Sequence, residues 1–346
     1  MKIWNLGIIG TGSIADFHAK AVKSLCNARL TGVYGRNEIK TKALAEKYSC
    51  RIFKTTLEML QSADIDIAMI ATPSGAHVDP VVEAARHGKH VICEKPLEIS
   101  LERIDRMIEA HKKSGTRLGG IFNYRFNDPV RILKKAVEQG RFGVITNASV
   151  YVPWWRSDAY YDNSWRGTQA LDGGGALMNQ SIHMIDMLQY MMGPVASLQA
   201  YMGTLGHPQI EVEDMAVAIL TFKNRALGMI YGTTASFPGQ FRRLEITGTK
   251  GTAILEENSL KVWQFAESRD EDQAIREKYS TIEGGGGVSD PMAIPFEPHA
   301  RNIEAFINAV EQNKPFEIDG EEARKSVEII TAIYQAANEH REIILT

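Results

Sequence analysis

The chain has 346 residues, 44% of them apolar and 23% charged, and a formal net charge of -3. That length exceeds what one hydrophobic core usually serves, so two domains are expected, and the near-neutral charge gives no electrostatic case for nucleic acid or an anionic membrane as partner. Cys26, Cys50 and Cys93 are isolated and lack C-x-x-C spacing, and no apolar run approaches membrane-spanning length, so neither a disulfide framework, a metal site, a signal peptide nor a membrane span is expected, and the chain reads as cytoplasmic.

Residues Ile3–Ile9 form a short apolar run, followed at once by Gly10-Thr11-Gly12-Ser13-Ile14-Ala15 and a helical segment through His18 and Val22. Strand, glycine turn and helix in that order are the G-x-G-x-x-A form of the dinucleotide fingerprint. Gly10 permits the tight turn, Gly12 lets a pyrophosphate approach the backbone, and Ala15 lets helix and strand pack closely. The turn, with Ser13 and Ile14, would offer its N–H groups and the positive dipole end of the helix to the phosphates. A second strand, Ala28–Tyr34, runs into Gly35-Arg36-Asn37. NAD-specific sites place a carboxylate there, whereas Arg36 suits a 2′-phosphate, so the expectation tilts toward NADP and leaves NAD open.

Further along come a helix over Thr41–Tyr48, a short strand beginning at Phe53 and a helical turn over Leu57–Leu60. An apolar strand Ile65–Ala71, a helix Val78–His87, a strand His90–Cys93, a helix Leu101–Lys113 and a sixth strand Arg117–Phe122 follow. This alternation predicts a doubly wound parallel sheet, in which ligands collect at strand carboxyl ends. Gly10, Arg36, Thr72 and Lys95 all fall at such ends. Thr72, Pro73 and Glu94 are therefore candidates for lining the cofactor. His77 is a further one, with a packing role as its alternative.

After residue 122 the rhythm changes, which predicts a nucleotide-binding domain over 1–122 and a second domain over 123–346. Pro129–Glu138 reads as a helix and Val144–Val152 as a half-buried strand. A stretch rich in Trp, Tyr and Arg contains Trp154, Trp155, Arg156, Tyr160, Tyr161, Trp165 and Arg166, and precedes Asp172-Gly173-Gly174-Gly175 and a long apolar helix, Ala176–Met192. Strand candidates follow at Ser197–Met202, Asp214–Phe222, Ala226–Thr233, Arg242–Thr247, Thr252–Leu255 and Leu260–Trp263, spacing that suggests an open antiparallel or mixed sheet. Gly284–Gly287 reads as a flexible loop, and Arg301–Glu311 and Glu321–Glu339 as closing helices. The second domain is expected to be α+β.

Two places carry chemistry. Lys95 in Glu94-Lys95-Pro96 ends an apolar strand at the ligand edge of the sheet, where an ammonium can hydrogen-bond or stabilise an alkoxide. Asn179, His183 and Asp186 are spaced i, i+4 and i+7 on an otherwise apolar helix, so they share one face, and a buried polar stripe needs a partner or a cavity. His183 is then a candidate general base on an alcohol, while His18 reads as a packing residue.

Together these motifs resemble the glucose–fructose oxidoreductase/inositol dehydrogenase/MocA (Gfo/Idh/MocA) family. Gly10–Ala15, Ala71-Thr72-Pro73, Glu94-Lys95-Pro96 and Asp172–Gly175 with Asn179, His183 and Asp186 occur in family order, and the resemblance covers essentially the whole chain. It implies an N-terminal Rossmann domain, a C-terminal domain with a large open sheet that commonly serves oligomerisation, and hence a homodimer or homotetramer. It also implies Lys95 and His183 as the catalytic pair. Many inositol dehydrogenase-like members carry aspartate in place of Asn179. Asparagine there, with Ser164–Thr168 and Leu177–Gln180, is most similar to sugar and nucleotide-sugar dehydrogenases, including enzymes oxidising C3 of UDP-N-acetylglucosaminuronate. The implied activity is hydride transfer between NAD or NADP and a secondary alcohol or ketone of a sugar or sugar derivative. Lys95 would polarise the reacting oxygen, His183 exchange the proton, Asn179 orient either partner, and Arg125, Trp165 and Arg166 contact the substrate. Redox-assisted cleavage of a glycoside by tightly held NAD, and non-catalytic sensing of the nucleotide, are the alternatives.

Overall fold

In the computed structural model, which describes residues 2–162, 165–281 and 295–345, the N-terminal alternation folds as a parallel sheet. Its strands are β1 (Trp4–Ile9), β2 (Ala28–Tyr34), β3 (Arg51–Ile52), β4 (Ile67–Ile70), β5 (His90–Cys93) and β6 (Leu118–Gly120), ordered β3-β2-β1-β4-β5-β6. The chain steps outward from β1 on one side and from β4 on the other, so the topological switch point lies between these two strands. Every residue of β4 is buried, as a parallel strand covered on both faces requires. The connecting helices are α1 (Ser13–Ser24), α2 (Glu38–Tyr48), α3 (Thr56–Gln61), α4 (Val78–Arg86) and α5 (Leu101–Ser114). Asn37, Thr55 and Ser100 start α2, α3 and α5 by accepting the N–H three residues on, from Lys40, Glu58 and Arg103.

The later chain builds an eight-stranded mixed sheet. Helix α6 (Asp128–Glu138) leads to β7 (Ile145–Pro153), α7 (Asp158–Tyr161), α8 (Ile182–Met192), β8 (Val195–Gly203), β9 (Met215–Phe222), β10 (Leu227–Thr233), β11 (Arg243–Gly248), β12 (Gly251–Glu256), β13 (Ser259–Phe265) and α9 (Glu271–Tyr279). The order is β13-β12-β11-β7-β10-β9-β8-β14, closed at one edge by β14 (Ile343–Ile344). Among the described residues of this sheet, β7 and β10 alone pair in parallel. Alternation along the strands buries Val150, Leu220, Ile230, Leu244, Ile246 and Leu255 on one face. The other face leaves Tyr201, Ile219 and Leu227 exposed at 72%, 59% and 60%.

The segment Ala176–Met192 departs from the single α-helix its composition predicts. It is π-helical over Ala176–Ser181 and becomes α-helical only at Ile182. The wide turn forms because Glu213 takes over the bonding at its start. The Glu213 carboxylate accepts the N–H groups of Gly175 and Leu177 at 2.8 and 2.9 Å, and its carbonyl accepts that of Ala176 at 3.0 Å. Gly175 allows this approach, since a Cβ there would lie 1.7 Å from the Glu213 carbonyl oxygen. Burial pushes the Glu213 carboxyl up to about 6, against the lowering effect of those N–H groups and of the Tyr334 hydroxyl.

The chain groups into two compact units, Met1–Asn123 with Pro295–Val327, and Tyr124–Ile294 with Glu328–Thr346. The sequence reading cuts the chain once, after residue 122, whereas the contacts return the segment carrying α10 (Glu297–Glu311) to the first unit. Long-range side-chain complementarity, which leaves no local mark, accounts for this. Helix α10 packs on α1, and Asn302 accepts the Phe122 N–H at 3.0 Å and donates to the Gly120 carbonyl at 3.3 Å. Phe306 and Phe316 cover Gly119 so closely that a Cβ there would meet both within 2.9 Å. The last helix, α11, spans Gly320–Glu339. Ser164 and the Gly284–Gly287 loop lie outside the described residues.

Candidate active site

In the first unit, the glycine turn between β1 and α1 has the shape a dinucleotide requires. Gly10 sits at φ +105°, and a Cβ on it would meet the Ala71 carbonyl oxygen at 2.4 Å, so only glycine lets β1 leave beside β4. Gly12 precedes α1 with no side-chain cap, and a Cβ on it would meet no atom within 4 Å. The start of the helix lies at the surface, with Gly12 and Ser13 exposed and Ile14 half-buried beside them. Arg36 stands exposed after β2, just ahead of the Asn37 cap. These residues fit the phosphates and adenosine ribose of a nicotinamide dinucleotide.

The loops after β4 and β5 are tied together by His77. Its Nδ1 lies 3.0 Å from the Pro96 carbonyl oxygen and 3.2 Å from that of Leu97, and its Nε2 lies 2.9 Å from the Thr72 carbonyl oxygen. The ring is 1% exposed, and burial lowers its pKa. His77, a candidate cofactor contact from its position after Thr72-Pro73, thus has backbone carbonyls against both ring nitrogens, one of which donates in the neutral ring, and lies between the two loops as a brace; a helix-start histidine facing inward is indistinguishable by spacing from one facing a ligand. Thr72 turns its hydroxyl to the Ala76 carbonyl at 3.0 Å, and Thr72 and Pro73 are half-buried.

Glu94, also a candidate for lining the cofactor, turns inward as well. Its carboxylate faces the interior, 2.8 Å from His18 Nε2, with the Lys95 N–H on its other oxygen at 3.0 Å. Burial alone would raise this acid, but the His18 hydrogen bond and charge outweigh it and hold the carboxyl down to about 2. His18 therefore has its Nε2 against the Glu94 carboxylate rather than serving in packing alone, and His299 of α10 lies edge-on to it at 5.8 Å. The pair anchors the cis Lys95–Pro96 peptide at the end of β5, and Lys95 itself is half-exposed.

In the second unit, the short 3₁₀ turn Asn123–Phe126 grips α8 with two successive side chains. Tyr124 stacks on His183, ring centroids 4.5 Å apart and planes 30° inclined, and Arg125 makes a bidentate pair with Asp186 at 2.7 and 2.6 Å. His183 and Asp186, one turn apart, are thus held by neighbours in sequence. The polar face that the spacing predicts is divided: Asn179 and His183 are half-exposed, while Asp186 is 1% exposed. Arg125, expected among the substrate contacts, is 2% exposed and committed to Asp186. A buried carboxylate needs a fixed cation, and Arg125 supplies it. Replacing Asp186 with alanine is expected to destabilise the protein by about 3–5 kcal/mol, because it strands a buried guanidinium. The paired replacement Arg125→Met with Asp186→Leu should recover most of that loss in urea unfolding.

Asn179 donates its amide to Asp172 at 2.7 Å, and the other Asp172 oxygen accepts the Gly167 N–H at 2.9 Å. The amide orientation follows, with Nδ2 toward the buried carboxylate and Oδ1 on the opposite side. Around the next turn, Tyr160 accepts the Gln180 amide at 3.0 Å, and the Arg166 and Arg156 guanidinium groups lie 4.2 and 5.5 Å from its ring centre. Trp165 and Arg166 are half-exposed. Tyr124 and Glu213 as supports of the helix carry no signal in local spacing, since each acts on a partner more than thirty residues away; Asp172 lies in the Asp172–Gly175 motif, seven residues before Asn179. Among the described residues no group of three His, Cys, Asp or Glu side chains could hold a metal ion, and no helix is long and apolar enough to cross a membrane.

A glycine-turn Rossmann sheet joined to a large mixed sheet defines a dinucleotide-dependent oxidoreductase. The chain belongs to the Gfo/Idh/MocA oxidoreductase family: residues 4–121 match its NAD-binding Rossmann fold and residues 134–345 its C-terminal alpha/beta domain. It is 27% identical to the myo-inositol 2-dehydrogenase of Thermotoga maritima over 98% of each chain. Two solved structures are similar over its full length. The WlbA dehydrogenase from Bordetella pertussis, in complex with NADH and UDP-GlcNAcA, has a TM-score of 0.91, 32% identity and 98% of its own chain covered. Its counterpart from Chromobactrium violaceum, with the same two molecules, has a TM-score of 0.90, 31% identity and 97% covered.

Proposed function

We propose that the chain is an NAD(P)-dependent dehydrogenase that oxidises the C3 hydroxyl of a nucleotide-linked hexosaminuronic acid, with UDP-N-acetylglucosaminuronate as the model substrate. The observation that carries this reading is His183, half-exposed near the start of a helix held by Glu213, Asp172 and Tyr124, with Asn179 one turn before it. Identity to two dehydrogenases solved with UDP-GlcNAcA supports the substrate class.

When bound, the nicotinamide supplies the hydride acceptor. Gly10, Gly12, Ser13 and Ile14 would hold its pyrophosphate. Arg36 would lie toward the adenosine ribose, where a guanidinium accommodates the 2′-phosphate of NADP, and Thr72 and Pro73 would line the nucleotide edge. Lys95 would donate a hydrogen bond to the reacting oxygen, stabilising the charge it acquires as its proton leaves. His183 would take that proton, and Asn179 Oδ1 would accept from a neighbouring hydroxyl of the sugar. Trp165 and Arg166 would contact the rest of the substrate, the arginine suiting a carboxylate or phosphate. The exposed apolar face of the mixed sheet supports assembly as a homo-oligomer, since apolar patches of that kind mark interaction surfaces.

The test is purified protein with a panel of sugars, inositols, glycosides and UDP-sugars, supplied with NAD⁺ or NADP⁺ in turn, while reduced-nicotinamide absorbance and products are followed. Absorbance rising with the UDP-linked uronate, and not with its uncharged counterpart, is the expected result. A cleaved glycoside without net absorbance would replace this reading with redox-assisted cleavage.

A further inference from the structure

Behind His183 lies an assembly that the chemistry above does not use. Tyr124 is 8% exposed, and besides stacking on His183 it receives the guanidinium of Arg242, which lies 3.9 Å from the ring centre and donates to the phenol oxygen at 3.0 Å. Arg242 is 4% exposed and is itself pinned: its Nη1 lies 2.7 Å from Glu257, its Nη2 donates to Asn258 at 3.3 Å, and its backbone N–H donates to the Glu257 carboxylate at 3.1 Å. Glu257 returns its own N–H to the Arg242 carbonyl at 3.0 Å. Asn258 also accepts from Asn127, on the segment that leaves the 3₁₀ turn, at 3.2 Å. The 3₁₀ turn, the start of β11 and the β12–β13 turn thus converge on one ring, which touches the imidazole.

We propose that Tyr124, held by Arg242 and Glu257, is a positioning residue that sets the plane of the His183 ring. The inference rests on the reading of His183 as the proton acceptor. A histidine has a broad χ2, and proton transfer needs its acceptor nitrogen within hydrogen-bond reach of the substrate. The backbone of α8 fixes the Cα–Cβ direction, the π-helical turn before it fixes the height, and the tyrosine face fixes the remaining rotation. Tyr124 is buried, and its phenol oxygen accepts from Arg242. The ring is therefore the necessary part.

Three variants separate the possibilities: Tyr124→Phe, which keeps the ring; Tyr124→Leu, which removes it; and Tyr124→Leu combined with His183→Ala. With UDP-N-acetylglucosaminuronate as substrate, Tyr124→Leu should lower kcat about tenfold, equivalent to about 1.4 kcal/mol in the barrier, and leave KM within about twofold. Tyr124→Phe should stay within about threefold of the parent in kcat, and the double variant should be no slower than His183→Ala alone. An additive loss in the double variant would overturn the proposal.

A readout free of turnover accompanies these. In histidine-labelled protein the His183 ring resonance, assigned by its loss in His183→Ala, should be shifted upfield by the tyrosine ring current. It should move downfield in Tyr124→Leu and hold its place in Tyr124→Phe. An unmoved signal in Tyr124→Leu would overturn the proposal even for a protein without dehydrogenase activity. A moved signal together with a fully active His183→Ala variant would instead defeat the functional reading alone.

Discussion

Lys95→Met is expected to lower kcat by about 10²–10³, the loss that follows removal of one preorganised donor from a developing oxyanion. Methionine keeps the length and the apolar stem, and the backbone N–H of residue 95 can still bond to Glu94. The His77 contacts and the glycine turn are made by other residues. Cofactor affinity, measured by fluorescence titration, should therefore stay within a few-fold of the parent while turnover falls. A variant with full turnover would remove Lys95 from the mechanism. A variant that loses cofactor affinity and keeps its residual rate at saturation would make Lys95 a cofactor contact alone.

His183→Ala is expected to cost about 10²–10⁴ in kcat, the contribution of a positioned general base. Alanine favours the helix, so α8 should persist with Asp186 still paired to Arg125. The truncation leaves a space about the size of an imidazole against Tyr124. Added imidazole should therefore restore part of the rate in a saturable manner, with little effect on the parent. Absence of rescue together with a wild-type rate would show that the proton leaves by another route.

The local patterns of the nucleotide-binding half were legible because each rests on neighbours in sequence. Apolar runs bounded by turn residues mark β1, β2, β4 and β5, and β2 and β5 occupy the residues the sequence predicts, Ala28–Tyr34 and His90–Cys93. The glycine turn is likewise local, since a positive φ and an approach to the next strand can be satisfied only by glycine. Spacing along one helix was a weaker guide. The i, i+4, i+7 pattern presumes 3.6 residues per turn, and the π-helical turn at Ala176–Ser181 breaks that presumption through Glu213, more than thirty residues away. Burial decided the rest. Arg125, Glu94 and His77 have side chains suited to ligands, yet each faces a buried polar side chain or backbone carbonyls. Which way a polar residue at a strand or helix end will turn depends on partners that only the folded chain supplies. For Arg125 that partner is Asp186, sixty-one residues on.

The central claim is hydride transfer from a sugar carbon. Its most direct measurement uses UDP-N-acetylglucosaminuronate deuterated at C3, incubated with the protein and each oxidised nicotinamide, with the reduced cofactor then weighed by mass spectrometry. The reduced cofactor is expected to carry one deuterium, the product to be the 3-keto sugar, and Lys95→Met and His183→Ala both to suppress the label. Deuterium retained in the sugar, or lost to water with the nicotinamide still oxidised, would contradict it.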